Sequence, residues 1–218
     1  MLSLDGSTRQ SVTSGVLYLH GFNSGSGSPK ARLMSAACQH VAGGPLPCST
    51  PQLSHLPYTA YGEAERHLDA LGECPLIVGS SMGGFLATCL AERHDLPTVL
   101  INPAVRPAGL VEAWLGERLV NEYTGEQFTI DTHHRDDLQS LTPAYVDPAR
   151  YLLLLGTADE TLDCRAAFEA YRGCRTLIVP KGDHGFSRLV EYLPAVLAHG
   201  GHRLTSESLQ FEPSYFQQ

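Results

Sequence analysis

A serine hydroxyl is a poor nucleophile until a base takes its proton. An imidazole does this best when a carboxylate holds its tautomer and supports the cation that forms. The run Pro75-Leu-Ile-Val-Gly79-Ser-Ser81-Met-Gly83-Gly-Phe-Leu-Ala carries the serine half of that chemistry. An apolar strand enters Gly79-Ser80-Ser81-Met82-Gly83 and a helical pattern leaves it, the strand–turn–helix context of a nucleophile elbow. A turn this tight requires residues without bulk two places before and after the nucleophile. Gly79 and Gly83 satisfy this for Ser81, whereas Ser80 has Val78 and Met82 in those places. The helix that begins after Ser81 also aims amide N–H groups and its positive end at the reacting centre.

The matching base must come later in the chain and follow a strand. Thr176-Leu-Ile-Val-Pro-Lys-Gly-Asp-His184-Gly-Phe supplies a strand, a short loop with His184 and then a helix. The acid comes from Leu152-Leu-Leu-Leu-Gly156-Thr-Ala-Asp159-Glu, again just beyond a strand. Asp163 and Asp183 compete for that role. Asp183 adjoins His184 too closely to reach its ring and reads as a loop cap. The order Ser81, Asp159, His184 is that of α/β-hydrolases. The oxyanion donors are assigned to the N–H groups of Met82 and of Phe22, in His20-Gly21-Phe22-Asn23-Ser24 after the first strand. Such donors are typically worth about 3 kcal/mol each in barrier height. Asn23, Arg106 and Trp114 are the candidate substrate contacts. Arg106 could meet an anionic substrate group, or pin its segment to the body by a salt bridge. His133 and His134 read as surface residues, and no spacing suggests a metal site.

These residues need strands that end side by side. Apolar runs at Val16–Leu19, 75–78, 98–101, 151–155 and 176–179 read as buried strands, with a weak one near 46–50. Helical stripes lie between them: Ser28 and Pro29 as N-cap and first position before Leu33, Met34, Ala37, Cys38 and Val41, then 59–71, the helix after Ser81, 162–171, and a closing helix from Phe186 to Leu197. Alternating strands and helices, with strands apolar throughout, predict a doubly wound, mostly parallel sheet of about six strands. The rhythm breaks between Asn102 and Pro148. Leu110, Val111, Trp114, Leu115 and Leu119 form one amphipathic set there, and a polar stretch follows through residues 131–135. This segment (about 103–148) is expected to be an insert over one end of the sheet, forming much of an acyl pocket with Trp114 as a wall. Gly25-Ser26-Gly27-Ser28-Pro29-Lys30 lacks the third glycine of a dinucleotide fingerprint and reads as a flexible turn at the mouth.

Bulk properties agree with one globular domain. The 218 residues are 43% hydrophobic and 17% charged, and the formal net charge is -8. That balance disfavours nucleic acid and anionic membranes as partners. No signal-peptide pattern opens the chain and no apolar run could span a bilayer. The six cysteines contain no C-x-x-C pair and read as reduced and packed. A cytoplasmic location is expected. The expected division is a polar N-terminal extension (1–14), a single domain (15–199) and a polar tail (200–218) that Phe211 and Tyr215 could pin down.

With those residues in place, the sequence resembles the YqiA/YcfP group of small bacterial α/β-hydrolases from about Val16 to Leu197. The resemblance rests on Leu17-Tyr-Leu-His-Gly-Phe-Asn-Ser24, Gly79-Ser-Ser-Met-Gly-Gly84, Asn102-Pro-Ala-Val-Arg-Pro107, Tyr123-Thr-Gly-Glu126 and Gly182-Asp-His184. The third and fourth of these lie outside general hydrolase motifs. The resemblance implies an esterase for short acyl esters, or for acyl-CoA thioesters, working through Ser81, Asp159 and His184. No metal or organic cofactor is implied. A catalytically silent ligand-binding module on the same fold is the reading from another class.

Overall fold

The four inner strands of the main sheet are buried throughout because both faces are covered there, whereas the strand expected to be buried at 176–179 lies at the sheet edge and leaves Ile178 55% exposed. In the computed structural model, which describes residues 12–205, eight strands and seven α-helices follow one another among the described residues. They are β1 (Val16–Leu19), α1 (Pro29–Gln39), β2 (Cys48–Ser49), α2 (Pro57–Asp69), β3 (Leu76–Ser80), α3 (Met82–His94), β4 (Thr98–Ile101), α4 (Pro107–Glu112), β5 (Arg118–Val120), β6 (Gln127–Thr129), α5 (Thr132–Leu141), β7 (Tyr151–Gly156), α6 (Cys164–Ala170), β8 (Arg175–Val179) and α7 (Leu189–His199). Six of the strands form one sheet in the order β2-β1-β3-β4-β7-β8, every pair parallel.

Successive side chains of a strand point to opposite faces, and the core divides accordingly. Leu17, Leu19, Ile77, Leu100, Leu153 and Leu155 pack with α2, α3 and α6 on one side. Val16, Tyr18, Leu76, Val78, Val99, Ile101, Leu152 and Leu154 pack with α1 and α7 on the other. The six-stranded parallel sheet with helices on both sides agrees with the architecture expected from the strand and helix rhythm. The weak strand near 46–50 shrinks to the two residues of β2, at the sheet edge. Ser28 caps α1 through its Oγ on the Ala31 N–H (3.4 Å), with Pro29 first in the helix. The six cysteines are all free thiols.

The chain leaves β1 toward β2 and later returns to the other side of β1 as β3. The order therefore reverses between β1 and β3, and the loops after them diverge. Ligands of open α/β sheets bind at this switch point, outside the carboxyl ends of the strands.

The segment between β4 and β7 does not continue the pattern. Helix α4 stops at Glu112, and Leu119 lies in β5 rather than on the helical face expected for it. Gly116, at φ 86°, turns the chain out of the helix. β5 and β6 then form an antiparallel hairpin. The polar stretch at 131–135 opens α5, where Asp131 is the N-cap and accepts from the N–H groups of His133 (3.0 Å) and His134 (3.4 Å). The hairpin turn is shaped by Asn121, whose Oδ1 accepts from the N–H groups of Tyr123 (2.9 Å) and Thr124 (3.0 Å). Its Nδ2 donates to the Ser24 carbonyl at 3.1 Å, fastening the insert to the loop after β1.

That contact corrects the expectation for the glycine-serine stretch. Gly25 is buried, and a Cβ there would lie 2.6 Å from the Tyr123 side chain. Gln52 also binds the Ser26 N–H at 3.0 Å, so the loop is clamped from two sides. At the other end, the first tail residues are held: the Gly200 carbonyl accepts from the Thr13 N–H (2.9 Å), and Leu204 bridges to Val41. The N-terminal extension through residue 11, and the tail with Phe211 and Tyr215, lie outside the described residues.

Replacing Asn121 with Ala removes three hydrogen bonds at once. The variant is expected to lose about 1–3 kcal/mol in urea unfolding, with faster proteolytic cleavage within residues 113–131. Unchanged cleavage would show that the hairpin is held by other contacts.

Candidate active site

The strand–helix turn at Ser81 is tight enough to force Ser81 itself into a positive-φ conformation, φ 56° and ψ -122°. Non-glycine residues rarely adopt it, and its cost must be met by surrounding contacts. They are present: the Ser81 N–H donates to the Ile101 carbonyl (3.1 Å), and its carbonyl accepts from the N–H groups of Gly84 (2.9 Å) and Ala104 (3.0 Å). The two elbow glycines are required by contact. A Cβ at Gly79 would stand 2.3 Å from the Gly83 carbonyl oxygen, and one at Gly83 would stand 2.2 Å from that of Leu19. Met82 opens α3, so its amide has no intrahelical acceptor.

The loop after β1 lies directly beside the elbow. A Cβ on Gly21 would fall 3.1 Å from Ser81 Cβ and 3.6 Å from its Oγ. His20 sets this loop. The Leu53 N–H can only donate, so His20 Nε2 accepts from it (3.0 Å), and the proton sits on Nδ1, which donates to the Gly21 carbonyl (2.8 Å). Phe22 follows, packed near Trp114 and edge-on to Phe128. Asn23 is left-handed at φ 55°, and its buried Oδ1 has no hydrogen-bond partner among the described residues.

Asp159 and His184 meet after β7 and β8. His184 Nδ1 lies 2.9 Å and 3.0 Å from the two carboxylate oxygens, and the Asp159 side chain is 2% exposed. Asp159 Oδ1 also accepts from the N–H groups of Thr161 and Leu162, both at 2.8 Å. The competing acids are engaged elsewhere. Asp163 caps α6, and Asp183 accepts from the N–H and hydroxyl of Ser187 at 3.0 Å. Among the described residues no hydrogen bond joins Ser81 Oγ to His184. Such contacts are often long in unliganded sites and tighten in the complex.

Residues that sequence reading left without a role hold the histidine loop. The Glu160 carboxylate accepts from the His184 N–H (3.1 Å), and Lys30 Nζ donates to the Gly185 carbonyl (2.7 Å). Asn102 Nδ2 donates to the carbonyls of Asp183 (2.9 Å) and His184 (3.2 Å), while its Oδ1 accepts from the Gly156 N–H (2.8 Å). Asn102 stood in a distinctive stretch of the sequence. Its side-chain partners lie 54 to 82 residues away, beyond the reach of any local pattern.

Ser81 lines a cavity of about 330 Å3. Phe22, Leu86, Val111, Trp114, Phe128 and Leu138 give it a predominantly apolar wall, several of them from the insert. Trp114 and Asn23 are both at this cavity. Arg106 is not: it is exposed, at φ 49° before α4, and makes no ion pair among the described residues.

His133 is exposed as expected, but His134 is not a surface residue. It is 2% exposed and belongs to a chain of contacts at the cavity. Its Nδ1 lies 2.8 Å from Asp131 Oδ1, and its ring meets His55 Nδ1 at 3.0 Å through Nε2. The His55 ring stacks on Phe128 at 4.2 Å. Only the tertiary packing of α5 against the loop before α2 buries this ring.

A sheet of six parallel strands, a serine elbow at its switch point and an Asp–His pair at neighbouring strand ends define the α/β-hydrolase fold. The chain belongs to the family described as Uncharacterised protein family UPF0227, the YqiA family, whose pattern matches residues 15–200. Solved structures are similar over most of their length. A protein of Agrobacterium vitis S4 assigned to the hydrolases superposes with a TM-score of 0.65 at 20% identity, covering 87% of this chain and 91% of that one. Est1E from Butyrivibrio proteoclasticus gives 0.62 at 14% identity, with 88% of each chain covered. The esterase domain of a Rhodothermus marinus protein gives 0.61 at 18%, covering 89% of this chain and 88% of that one. At these identities the likeness is one of fold. No helix among the described residues is long and apolar enough to cross a membrane.

Burial pushes His20 and His55 below the ordinary imidazole range, with Glu126 near His55 opposing the shift. Their folded forms resist protonation that the unfolded chain accepts from about pH 6.5 downward. Their contribution to stability is therefore full above that pH and declines as pH falls through it. The urea midpoint is expected to drop between about pH 7.5 and about pH 5.5, and a folded His20→Gln variant to drop less. An equal drop in the variant would remove His20 from the account.

Proposed function

We propose that this chain is a serine carboxylesterase that hydrolyses short-chain acyl esters through an acyl-enzyme. The observation that carries this reading is Ser81, held at a strained elbow on the wall of an apolar cavity, with the Asp159–His184 pair on loops at the same end of the sheet. A cavity of about 330 Å3 sits at the small end of the ~300–1,000 Å3 usual for ligand sites, which favours a short acyl group.

Asp159 accepts the Nδ1 proton of His184, so the Nε2 lone pair is the one available to Ser81. Ser81 Oγ adds to the ester carbonyl while Nε2 takes its proton. The oxyanion rests on the Met82 and Phe22 amides, fixed beforehand by the start of α3 and by the loop that His20 braces. Collapse expels the alcohol, which takes the proton back from His184. Water then adds to the acyl-enzyme with His184 again as base, releasing the carboxylic acid and restoring Ser81.

Wild type is expected to hydrolyse p-nitrophenyl butyrate, and Ser81→Ala to lose on the order of a thousandfold or more in kcat with its circular dichroism unchanged. Equal activity in the two proteins would remove Ser81 from the mechanism. Trp114→Ala, which opens one cavity wall, is expected to shift preference toward longer p-nitrophenyl esters. An unchanged chain-length profile would place the acyl group elsewhere.

A further inference from the structure

Two loops must keep a fixed distance if Asp159 is to orient His184, and the β7–β8 ladder holds only their beginnings. Thr157 N–H donates to the Val179 carbonyl (3.1 Å) and Ala158 N–H to that of Gly182 (2.9 Å). A Cβ on Gly156 would strike the Gly182 carbonyl oxygen at 2.4 Å, so the loops touch backbone to backbone there. His184 lies beyond these contacts. Its carbonyl, and that of Asp183 before it, are bound by the Asn102 side chain, which also takes the Gly156 N–H at the root of the acid loop.

The same short stretch grips the serine. Ile101 and Ala104 hydrogen-bond the backbone of Ser81, and the Asn102 N–H donates to the Leu154 carbonyl at 3.0 Å. Residues 101–104 are thus tied to all three loops that carry Ser81, Asp159 and His184. We infer that Asn102 is a positioning residue for the reaction proposed above, setting the His184 ring against Asp159 and toward Ser81 by bridging the acid and base loops.

The side-chain type follows from the site. Asn102 is 2% exposed and sits at φ 41°, in the left-handed region that asparagine tolerates better than most residues. Its amide has both a donor and an acceptor within one short, rigid group. Glycine would accept the backbone angle but bridge nothing. Aspartate would keep the acceptor for Gly156 but put a carboxylate against two carbonyl oxygens. Asn102 does not line the cavity, so its effect on substrate must pass through His184.

The test rests on the esterase reading, but one of its readouts does not. Asn102→Gly and Asn102→Asp would be compared with wild type and Ser81→Ala, with folding checked by circular dichroism and thermal melting. For p-nitrophenyl butyrate, kcat is expected to fall on the order of ten- to a hundredfold, while KM stays within about twofold. In Asn102→Gly, weaker support of the imidazolium by Asp159 moves the acid limb of the kcat/KM profile to lower pH. The low-field proton resonance of His184 Nδ1–H, identified by its absence in His184→Gln, is expected in wild type and Ser81→Ala and lost or shifted in both Asn102 variants. Folded variants that keep kcat within about twofold and retain the resonance would overturn the inference, whatever their melting temperatures. If Asn102→Gly does not fold, Asn102→Asp, which retains the Gly156 contact, carries the comparison. If wild-type turnover proves independent of Ser81, the esterase reading fails, and the resonance alone decides the role of Asn102.

Discussion

The backbone of Ser81 is the point on which the rest of the site depends. A serine at φ 56° is unfavourable by itself, and it persists because its own peptide groups are bonded to α3 and to the segment after β4. Those bonds form only if α3 can lie close against both β3 and the end of β1, and the first approach leaves no room for a Cβ at Gly79, the second none at Gly83. Strain in the elbow and absence of side chains beside it are therefore one constraint seen from two sides. It forces the nucleophile out of the sheet, and it places the first amides of α3 where a developing negative charge could rest.

The crossover order of the sheet determines what surrounds that serine. Because β1 and β3 are neighbours whose connections depart in opposite directions, the loop after β1 is left beside the elbow. His20 fixes this loop from below by bonding both Gly21 and Leu53, and Asn121 of the insert fixes it from above by bonding Ser24. The Tyr123-Thr-Gly-Glu126 stretch, distinctive as sequence, is the hairpin turn that Asn121 organises. The insert thus does two jobs with one set of contacts: it clamps the loop after β1 and it walls the cavity with Val111, Trp114 and Phe128.

Polar groups buried between body and insert follow the rule that a buried imidazole must satisfy its nitrogens or stay neutral. Buried His134 does so in a chain that runs from the exposed Asp131 to the half-buried His55, whose ring is stacked against Phe128. His134 looked like a solvated residue because its neighbours in sequence are polar. It is buried because Asp131 caps α5 and turns that ring inward, against a residue from a different part of the chain.

The glycines on either side of Ser81 and the parallel alternation were legible in the sequence, because each depends on local spacing: glycines two residues from a serine, apolar runs of strand length, helical stripes between them; the meeting of Asp159 with His184 joins positions 25 residues apart. Asp183 was set aside by its adjacency to His184, whereas the role of Asp163 emerged only in the structure, where it caps α6 by accepting from the Arg165 N–H. What tertiary structure alone decided involves partners far apart in the chain. The clamped glycine-serine loop, the burial of His134 and the bridging by Asn102 all arise from hydrogen bonds or packing across long separations. A sequence pattern reports which face of an element is apolar; it does not report which distant backbone group a buried amide will meet.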